Sequence, residues 1–174
     1  MLSDDLIYLR KLEATDLDRT WVWVNDPDIA EKIGTPIPVS KSEQLRWFER
    51  TDQAKDKIVF ALCLRDGDTH IGNLSLDNIE PRHRTARLSI FIADPSLRGQ
   101  SLGSRAIRLL TDYAFGYLNL NKVWCKTTGD DDGTLKFYER LGFRVEGVLR
   151  MHEFVAGRYV DKVILAFFRS ASGI

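Results

Sequence analysis

The sequence has no excess of charge of either sign. Lys plus Arg and Asp plus Glu both number 25 among 174 residues, so the formal net charge is zero. No global field would therefore attract nucleic acid or an anionic membrane. The longest unbroken apolar run, residues 58–64, falls well short of the roughly 18 residues that a membrane-spanning helix needs. We predict that the chain has neither a nucleic acid nor a membrane as partner.

Cysteine is scarce. Cys63 and Cys125 are the two in the sequence, both lie in apolar, strand-like segments, and they form no CxxC pair or metal-ligand spacing. We predict buried thiols and no metal. The N-terminal residues lack the basic start and apolar stretch of a secretory signal, which favours a cytoplasmic location. Repeats, low-complexity stretches and long linkers are absent as well, and the sequence predicts a single domain over 1–174.

Apolar periodicity and turn residues predict the order of the elements. Strand patterns alternate with period two and helix patterns with period 3.6. Thr15 is the predicted N-cap of a first helix that Asp26-Pro27 interrupts, and Ser40 with Glu43 forms a predicted capping box for the second. The predicted order is strand, two helices, three strands, a long helix, a strand, a short helix and a final hairpin. This order predicts an α+β domain with a mixed sheet.

A small-residue turn joins the third of the three central strands to the long helix. It runs over residues 94–104 and ends in Ser101-Leu102-Gly103-Ser104. Bare backbone N–H groups at a helix N-terminus favour a phosphate, and this turn is typical of a pyrophosphate cradle. An ordinary strand-to-helix loop is the alternative. A nucleoside-triphosphate loop would end in Gly-Lys-Ser/Thr, and a dinucleotide fingerprint would have three spaced glycines after a first strand with an acidic residue downstream; the sequence fits neither pattern.

A second motif lies about thirty residues later, where Phe-Tyr-Glu-Arg-Leu-Gly-Phe occupies residues 137–143. Together with the Arg98-to-Gly103 turn, it resembles the GNAT superfamily of N-acetyltransferases. Residues 119–122, 147–154 and 157–159 look like the branch of ribosomal-protein N-terminal and spermidine acetyltransferases. The resemblance implies a mixed, mostly antiparallel sheet of about seven strands flanked by about four helices. It also implies transfer of an acetyl group from acetyl-CoA, by direct attack, to a primary amine of a small molecule (polyamine, amino sugar or antibiotic) or a protein N-terminus.

The resemblance also implies a coenzyme track. Its first part is the edge of a splayed strand, at Ile90, Phe91 and Ile92. The phosphate turn follows, and its residues are Arg98, Gly99, Gln100, Ser101, Leu102, Gly103 and Ser104. Ser101 replaces the first glycine of the family's turn, and we expect a small, N-capping serine to be compatible with it. Asp131 stands where the family often has Asn.

Tyr138 occupies the position at which many relatives keep a tyrosine beside the coenzyme sulfur. The departing thiolate needs a proton, and we predict Tyr138 as the general acid. An aromatic residue that packs on the sheet is the alternative. The family's usual glutamate base is replaced by Arg87. Asp77, Glu80 and Glu31 are the remaining candidates, and the base stays unassigned.

No residue of the sequence identifies the acceptor of the acetyl group. Tryptophans and acidic residues share the N-terminal helical region, and we take Glu31 and Trp47 as substrate-wall residues. The basic turn of Arg82, His83, Arg84 and Arg87 could instead contact an anionic substrate. The expected partners are acetyl-CoA, as cosubstrate, and an amine substrate. A homodimer is the assembly that we consider. The alternative functions are a non-catalytic acyl-CoA-binding module and a peptide-binding domain.

Overall fold

The computed structural model describes residues 1–35 and 37–169. Pro36 and residues 170–174, which the predicted domain includes, lie outside the described residues. Over those ranges the strands form one eight-stranded sheet in the order β1-β2-β3-β4-β5-β6-β8-β7. The strands are β1 (Leu2–Ser3), β2 (Ile7–Lys11), β3 (Ile58–Leu64), β4 (His70–Glu80), β5 (Thr85–Ile92), β6 (Lys122–Thr128), β7 (Arg144–Val155) and β8 (Arg158–Phe168). The predicted α+β class is confirmed. The sheet has one strand more than the seven predicted, and the additional strand is β1, which is two residues long.

Five α-helices flank the sheet within the described ranges. They are α1 (Leu17–Val24), α2 (Pro27–Ile33), α3 (Lys41–Gln53), α4 (Leu102–Gly116) and α5 (Asp132–Arg140). The helix beyond the predicted four is α2. The Asp26 carboxylate accepts from the N–H groups of Asp28 (3.0 Å) and Ile29 (3.1 Å), and Pro27 opens the helix. The Asp-Pro pair therefore begins a helix as well as ending one.

The predicted capping box of α3 is present. The Ser40 N–H donates to the Glu43 carboxylate at 2.8 Å, and the Glu43 N–H donates to the Ser40 hydroxyl at 3.2 Å. Glu43 is thereby fixed at the positive end of α3, and the hydrogen bonds that its carboxylate accepts from the Ser40 N–H and the Ser40 hydroxyl lower the pKa of its carboxyl. The start of the first helix differs from the prediction, because Asp16 rather than Thr15 is the residue before α1.

The sheet carries a core on each face. The main core joins the sheet to α4 and contains Ala86 and Leu88 of β5, with Ile90 and Ile92 packed against it. The alternation predicted for this strand is therefore confirmed. A smaller core lies on the opposite face under α3 and contains Val59, Ala61 and Cys63 of β3. Cys125 is buried in the main core, so both predicted core thiols are confirmed.

No helix in the described part of the chain combines the length and the apolar character needed to cross a membrane.

Candidate functional site

Strands β5 and β6 separate after a short stretch of pairing. They are the parallel pair in an otherwise antiparallel sheet, and they pair only at Thr85–Lys122, Ala86–Val123 and Arg87–Trp124. Strand β5 nevertheless continues to Ile92 and β6 to Thr128. The edge of β5 beyond Arg87 therefore offers main-chain donors and acceptors to an extended ligand, in the manner of an added strand.

The turn after β5 leads to the positive end of α4. The first intrahelical bond runs from the Arg105 N–H to the Ser101 carbonyl (3.0 Å), so the N–H groups of Leu102, Gly103 and Ser104 precede it. The first turn of α4 holds no acidic residue. This helix end can therefore accept an anion.

Ser101 does not cap α4 as predicted. Its backbone is left-handed, with φ 62° and ψ 3°, and its side chain makes no cap hydrogen bond. The glycine of the family's turn adopts the left-handed conformation without steric penalty, whereas this conformation costs a residue with a Cβ about 1–2 kcal/mol. The expectation of an N-capping serine is wrong, because the chain needs the left-handed turn at this position.

The remaining turn residues are held beside the open edge of β5. The Arg98 guanidinium donates to the Ile92 carbonyl (3.1 Å), and the Gln100 amide donates to the Ser96 carbonyl (2.9 Å). The Leu102 side chain is buried in the main core, so its N–H is the group available to a ligand. A Cβ added at Gly103 would contact Phe137 of α5 at 3.4 Å. The turn thus joins β5, α4 and α5.

A large cavity of about 1180 Å³ lies over the gap between β5 and β6. Ile90 of β5, Glu31 of α2 and Asp131, Thr134 and Tyr138 around α5 line it, together with residues of the β7–β8 hairpin. The Asp131 carboxylate accepts from the Thr134 N–H at 2.9 Å and caps α5. This capping role was not predicted.

Tyr138 is buried between α5 and β6. Its ring packs edge-on against Phe137 and Phe143, with centroids 5.3 and 5.1 Å apart. Burial and the neighbouring Cys125 thiol raise the pKa of the Tyr138 phenol well above its usual value. Burial also raises the pKa of Cys125 to about 12. Both groups are therefore protonated at neutral pH, and the two side chains are hydrogen-bonded to each other.

A smaller cavity of about 550 Å³ lies on the α1–α3 side of β5. Trp47 of α3 and Arg87, Ser89 and Phe91 of β5 line it, and the Phe91 ring lies edge-on to Trp23 at 5.9 Å. Ile90 lines both cavities. Glu31 and Trp47, which we predicted as one substrate wall, lie in different cavities and are not brought together.

Asp77 lies at the centre of a charged group in the smaller cavity. Its carboxylate is 3.0 Å from the Lys57 ammonium and 3.3 Å from the Arg87 guanidinium. Burial alone would raise the pKa of Asp77, but Lys57, the Ser75 hydroxyl and Arg87 hold it below its usual value. A carboxylate with a lowered pKa is a weak base, so this environment does not favour Asp77 as the base.

A second charged group lines the large cavity and was missed by the sequence analysis. Glu153 of β7 pairs with the buried Lys162 of β8 and lies 3.5 Å from the Lys126 ammonium of β6. Burial, Lys162 and Arg87 together lower the pKa of Lys126. No local signal marked these residues, because three strands have to pair before the side chains meet.

The other predicted polar residues lie away from both cavities. Glu80 accepts from the Arg82 N–H at 3.1 Å in the β4–β5 turn, and Arg84 donates to the Asn119 carbonyl at 2.7 Å. Of the predicted basic turn, Arg87 is the residue that lines a cavity. Among the described residues, no three His, Cys, Asp or Glu side chains are grouped so that they could hold a metal ion. The absence of a metal stays a prediction.

Comparison with known proteins agrees with this geometry. The family model described as an acetyltransferase (GNAT) domain matches residues 7–144. The spermidine N(1)-acetyltransferase of Escherichia coli K12 is 36% identical over 99 residues, which are 56% of this chain and 52% of that protein. An uncharacterized N-acetyltransferase, p20, of Bacillus licheniformis is 25% identical over 97% of this chain and 96% of its own length.

A solved structure shows the same fold. The spermidine N-acetyltransferase of Vibrio cholerae, in complex with CoA and spermine, superposes with a TM-score of 0.89. It is 25% identical, and the match covers 95% of this chain and 96% of that one. The element order predicted from the sequence is therefore that of a known fold.

Proposed function

Because this chain belongs to the GNAT family of acetyltransferases, as the sequence predicted, we propose that it transfers the acetyl group of acetyl-CoA to a primary amine by direct attack. The observation that carries the proposal is the separation of β5 from β6 after Arg87, next to the positive end of α4. An extended, amide-bearing coenzyme with a pyrophosphate fits a free strand edge that leads to a helix N-terminus.

The coenzyme would be held by residues of three kinds. Main-chain groups along Ile90, Phe91 and Ile92 would pair with the amides of the pantetheine arm. The N–H groups of the first turn of α4 would face the pyrophosphate, and Arg98, now bonded to the Ile92 carbonyl, would add a charge-assisted donor. The turn's remaining predicted contacts, Gly99 and Gln100, are exposed and would border the same phosphates.

Tyr138 is proposed as the donor to the coenzyme sulfur. It lines the large cavity beside Ile90, at the gap between the two strands. Its raised pKa keeps the hydroxyl protonated, but complete transfer to a thiolate of pKa about 8.5 would be uphill. A hydrogen bond that strengthens as negative charge develops on the sulfur avoids this cost.

Loss of a proton from the acceptor is the remaining chemical requirement. An alkylammonium of pKa about 10.4 has to lose its proton before it can attack. Asp77 carries a lowered pKa, and Glu80 is used within its own turn. Glu31 is exposed on the wall of the large cavity. We propose that water carries this proton from the acceptor to solvent.

The acceptor is proposed to be a small-molecule amine or a protein N-terminus. Relatives act on spermidine, and one was solved with spermine, so a polyamine is the natural first candidate. Ile90 lines both cavities, so an acceptor in the cavity on the α1–α3 side would lie next to the strand residue that borders the gap. The cytoplasmic location and the lack of nucleic-acid and membrane partners stay predictions.

A homodimer is proposed as the assembly. Strand β7 is an edge of the sheet, and the β7–β8 hairpin exposes Val148, Leu149, Met151, Phe154 and Tyr159. An exposed edge with apolar side chains favours pairing with another chain. Light scattering on the purified protein tests this; a monomer across the whole concentration range would contradict it.

The function itself is tested by a thiol-release assay. The protein, acetyl-CoA and a panel of amines and N-terminal peptides are combined, and free CoA is followed over time. Amine-dependent release that stops when acetyl-CoA or the amine is omitted supports the transferase. Coenzyme binding without release for any amine would favour the non-catalytic module instead.

A further inference from the structure

The smaller cavity holds more cationic than anionic groups near β5. Lys57 and Arg87 share the single carboxylate of Asp77, and the side chains of both cations are 28% exposed. Arg50 adds a third cation to the lining. The other acid, Glu43, is used in the capping box of α3. The cavity wall therefore keeps an uncompensated positive charge.

Arg87 is placed where an acceptor has to pass. It is the last β5 residue that pairs with β6, so it stands at the vertex of the gap. Ile90, which lines both cavities, lies three residues further along the same strand, or about 10 Å at 3.3 Å per residue. The long Arg87 side chain is thus within reach of a small acceptor whose amine lies at Ile90.

The Arg87 guanidinium has donors to spare. One Nη donates to Asp77, whereas the buried Nε has no hydrogen-bond partner among the described residues. A guanidinium presents five N–H donors in a plane, which suits an oxyanion with two acceptor atoms. Because Nε is buried and the side chain as a whole is 28% exposed, the donors left for a ligand are those of the Nη atoms that do not bind Asp77.

The far side of the gap carries both lysines and carboxylates. Lys126 and Lys162 share the single carboxylate of Glu153, and Arg87 is one of the charges that act on Lys126. The other acids of this cavity are Asp28 and Glu31, which are exposed and therefore screened by solvent, Asp130, which pairs with Arg158, and Asp131, which caps α5. An acceptor with several positive charges would meet the cations Arg87 and Lys126 together at the gap.

We propose that the acceptor carries a carboxylate or a phosphate besides its reactive amine, and that Arg87, assisted by Lys57, binds this anionic group. The inference rests on the proposed acetyl transfer and names the class of acceptor. Arg87 thus becomes the residue that determines specificity. The charge of the cavity opposes a polyamine such as spermidine, although relatives accept one.

Matched pairs of amines test the inference. O-Phosphoethanolamine is compared with ethanolamine, and 4-aminobutyrate with butylamine, so that the two pairs distinguish phosphate from carboxylate; spermidine is the polycation. The thiol-release assay gives kcat/KM for each. We expect at least one anionic member to exceed its neutral counterpart by about tenfold or more, and to exceed spermidine.

Two variants and a control locate the effect. Arg87→Gln and Lys57→Gln each remove one cation while leaving Asp77 a partner, and both should reduce the preference for the anionic amine by about tenfold or less, with Arg87→Gln the larger. Arg82→Gln removes the same charge from the exposed β4–β5 turn and should keep the preference. Melting curves verify folding for all three.

The contradicting outcomes are distinct from failure of the transferase itself. If the unmodified protein prefers spermidine to every anionic amine, or if both cavity variants keep the full preference, the inference is overturned while acetyl transfer stands. If no amine or peptide releases CoA, the proposed function falls, and the inference falls with it.

Discussion

Arg10 holds the buried carboxylate of Asp16 with two hydrogen bonds, Nη1 to Oδ2 and Nη2 to Oδ1, both 2.7 Å long. The same carboxylate also accepts from the Glu13 N–H at 2.9 Å and lies 3.4 Å from His70. Burial would raise the pKa of Asp16, but Arg10, the Glu13 N–H and His70 together lower it. This pair ties β2 to the start of α1.

Asp16→Asn is therefore expected to destabilise the fold. The change leaves Arg10 without its charged partner, and breaking a buried pair costs several kcal/mol; since the Arg10 side chain is 28% exposed, we expect roughly 2 kcal/mol at pH 7. Urea unfolding measures the change. Asp18→Asn, which breaks the exposed pair with Lys41, is the matched control and should change the free energy of unfolding by less than about 0.5 kcal/mol.

The same pair predicts a pH dependence. The pKa of Asp16 is lower in the folded protein than its ordinary value of 3.8, so its contribution is present above that pH and is lost as the pH falls through the folded pKa. The stability difference between the unmodified protein and Asp16→Asn should accordingly shrink below about pH 4. A difference that stays constant down to pH 2 would contradict the assignment.

Ser101→Gly is expected to stabilise the protein or leave it unchanged. The left-handed backbone at this position strains a serine and suits glycine, and the gain offsets the greater freedom of glycine in the unfolded chain. Ser104→Gly, a matched change within the first turn of α4, should destabilise by about 0.5–1 kcal/mol. Thermal unfolding of both variants gives the signs; equal destabilisation would mean that Ser101 is not strained.

Gly103→Glu tests the phosphate turn. A carboxylate in the first turn of α4 suits the helix but competes with a pyrophosphate for its positive end, so coenzyme affinity should fall about tenfold or more without loss of stability. Gly103→Ala is the control for bulk, because its Cβ would make an ordinary 3.4 Å contact with Phe137. Calorimetric titration with CoA measures both. Unchanged affinity in a folded Gly103→Glu variant would refute the phosphate-turn assignment.

Most of the fold could be predicted because the dominant signals are local. The apolar run at residues 58–64 coincides with β3, and the turn residues Asp66-Gly67-Asp68 lie just before β4. The apolar, even-numbered residues of β5 belong to the main core or pack against it. Helix α2 was missed because Pro27 was interpreted as a break, although Asp-Pro is also typical of an N-cap followed by the first helical residue.

The charged groups of the site could not be predicted in the same way. Asp77 and Arg87 come from two neighbouring strands and Lys57 from the loop before β3, and Glu153, Lys126 and Lys162 come from three other strands, so each group depends on sheet order and register. The spacing of residues along the sequence specifies neither the order of the strands in the sheet nor their register. The coenzyme track was easier, since the end of β5 and the start of α4 are adjacent in the chain.

Tyr138→Phe is expected to lower turnover by about 10²-fold while coenzyme affinity and stability stay nearly unchanged. The change removes only the hydroxyl, so the ring keeps its packing against Phe137 and Phe143. A loss confined to kcat is the signature of an interaction made in the transition state and not in the bound ground state. Single-turnover thiol release measures the chemical step directly.

Tyr113→Phe is the matched control for that substitution. Tyr113 lies on α4, where its ring stacks on the Tyr117 ring with centroids 5.3 Å apart. It lines neither the large cavity nor the smaller cavity at β5. Its hydroxyl should therefore be dispensable for turnover. If Tyr138→Phe also turned over at the unmodified rate with the chemical step limiting, the Tyr138 ring would be a packing residue and water would supply the hydrogen bond to the sulfur.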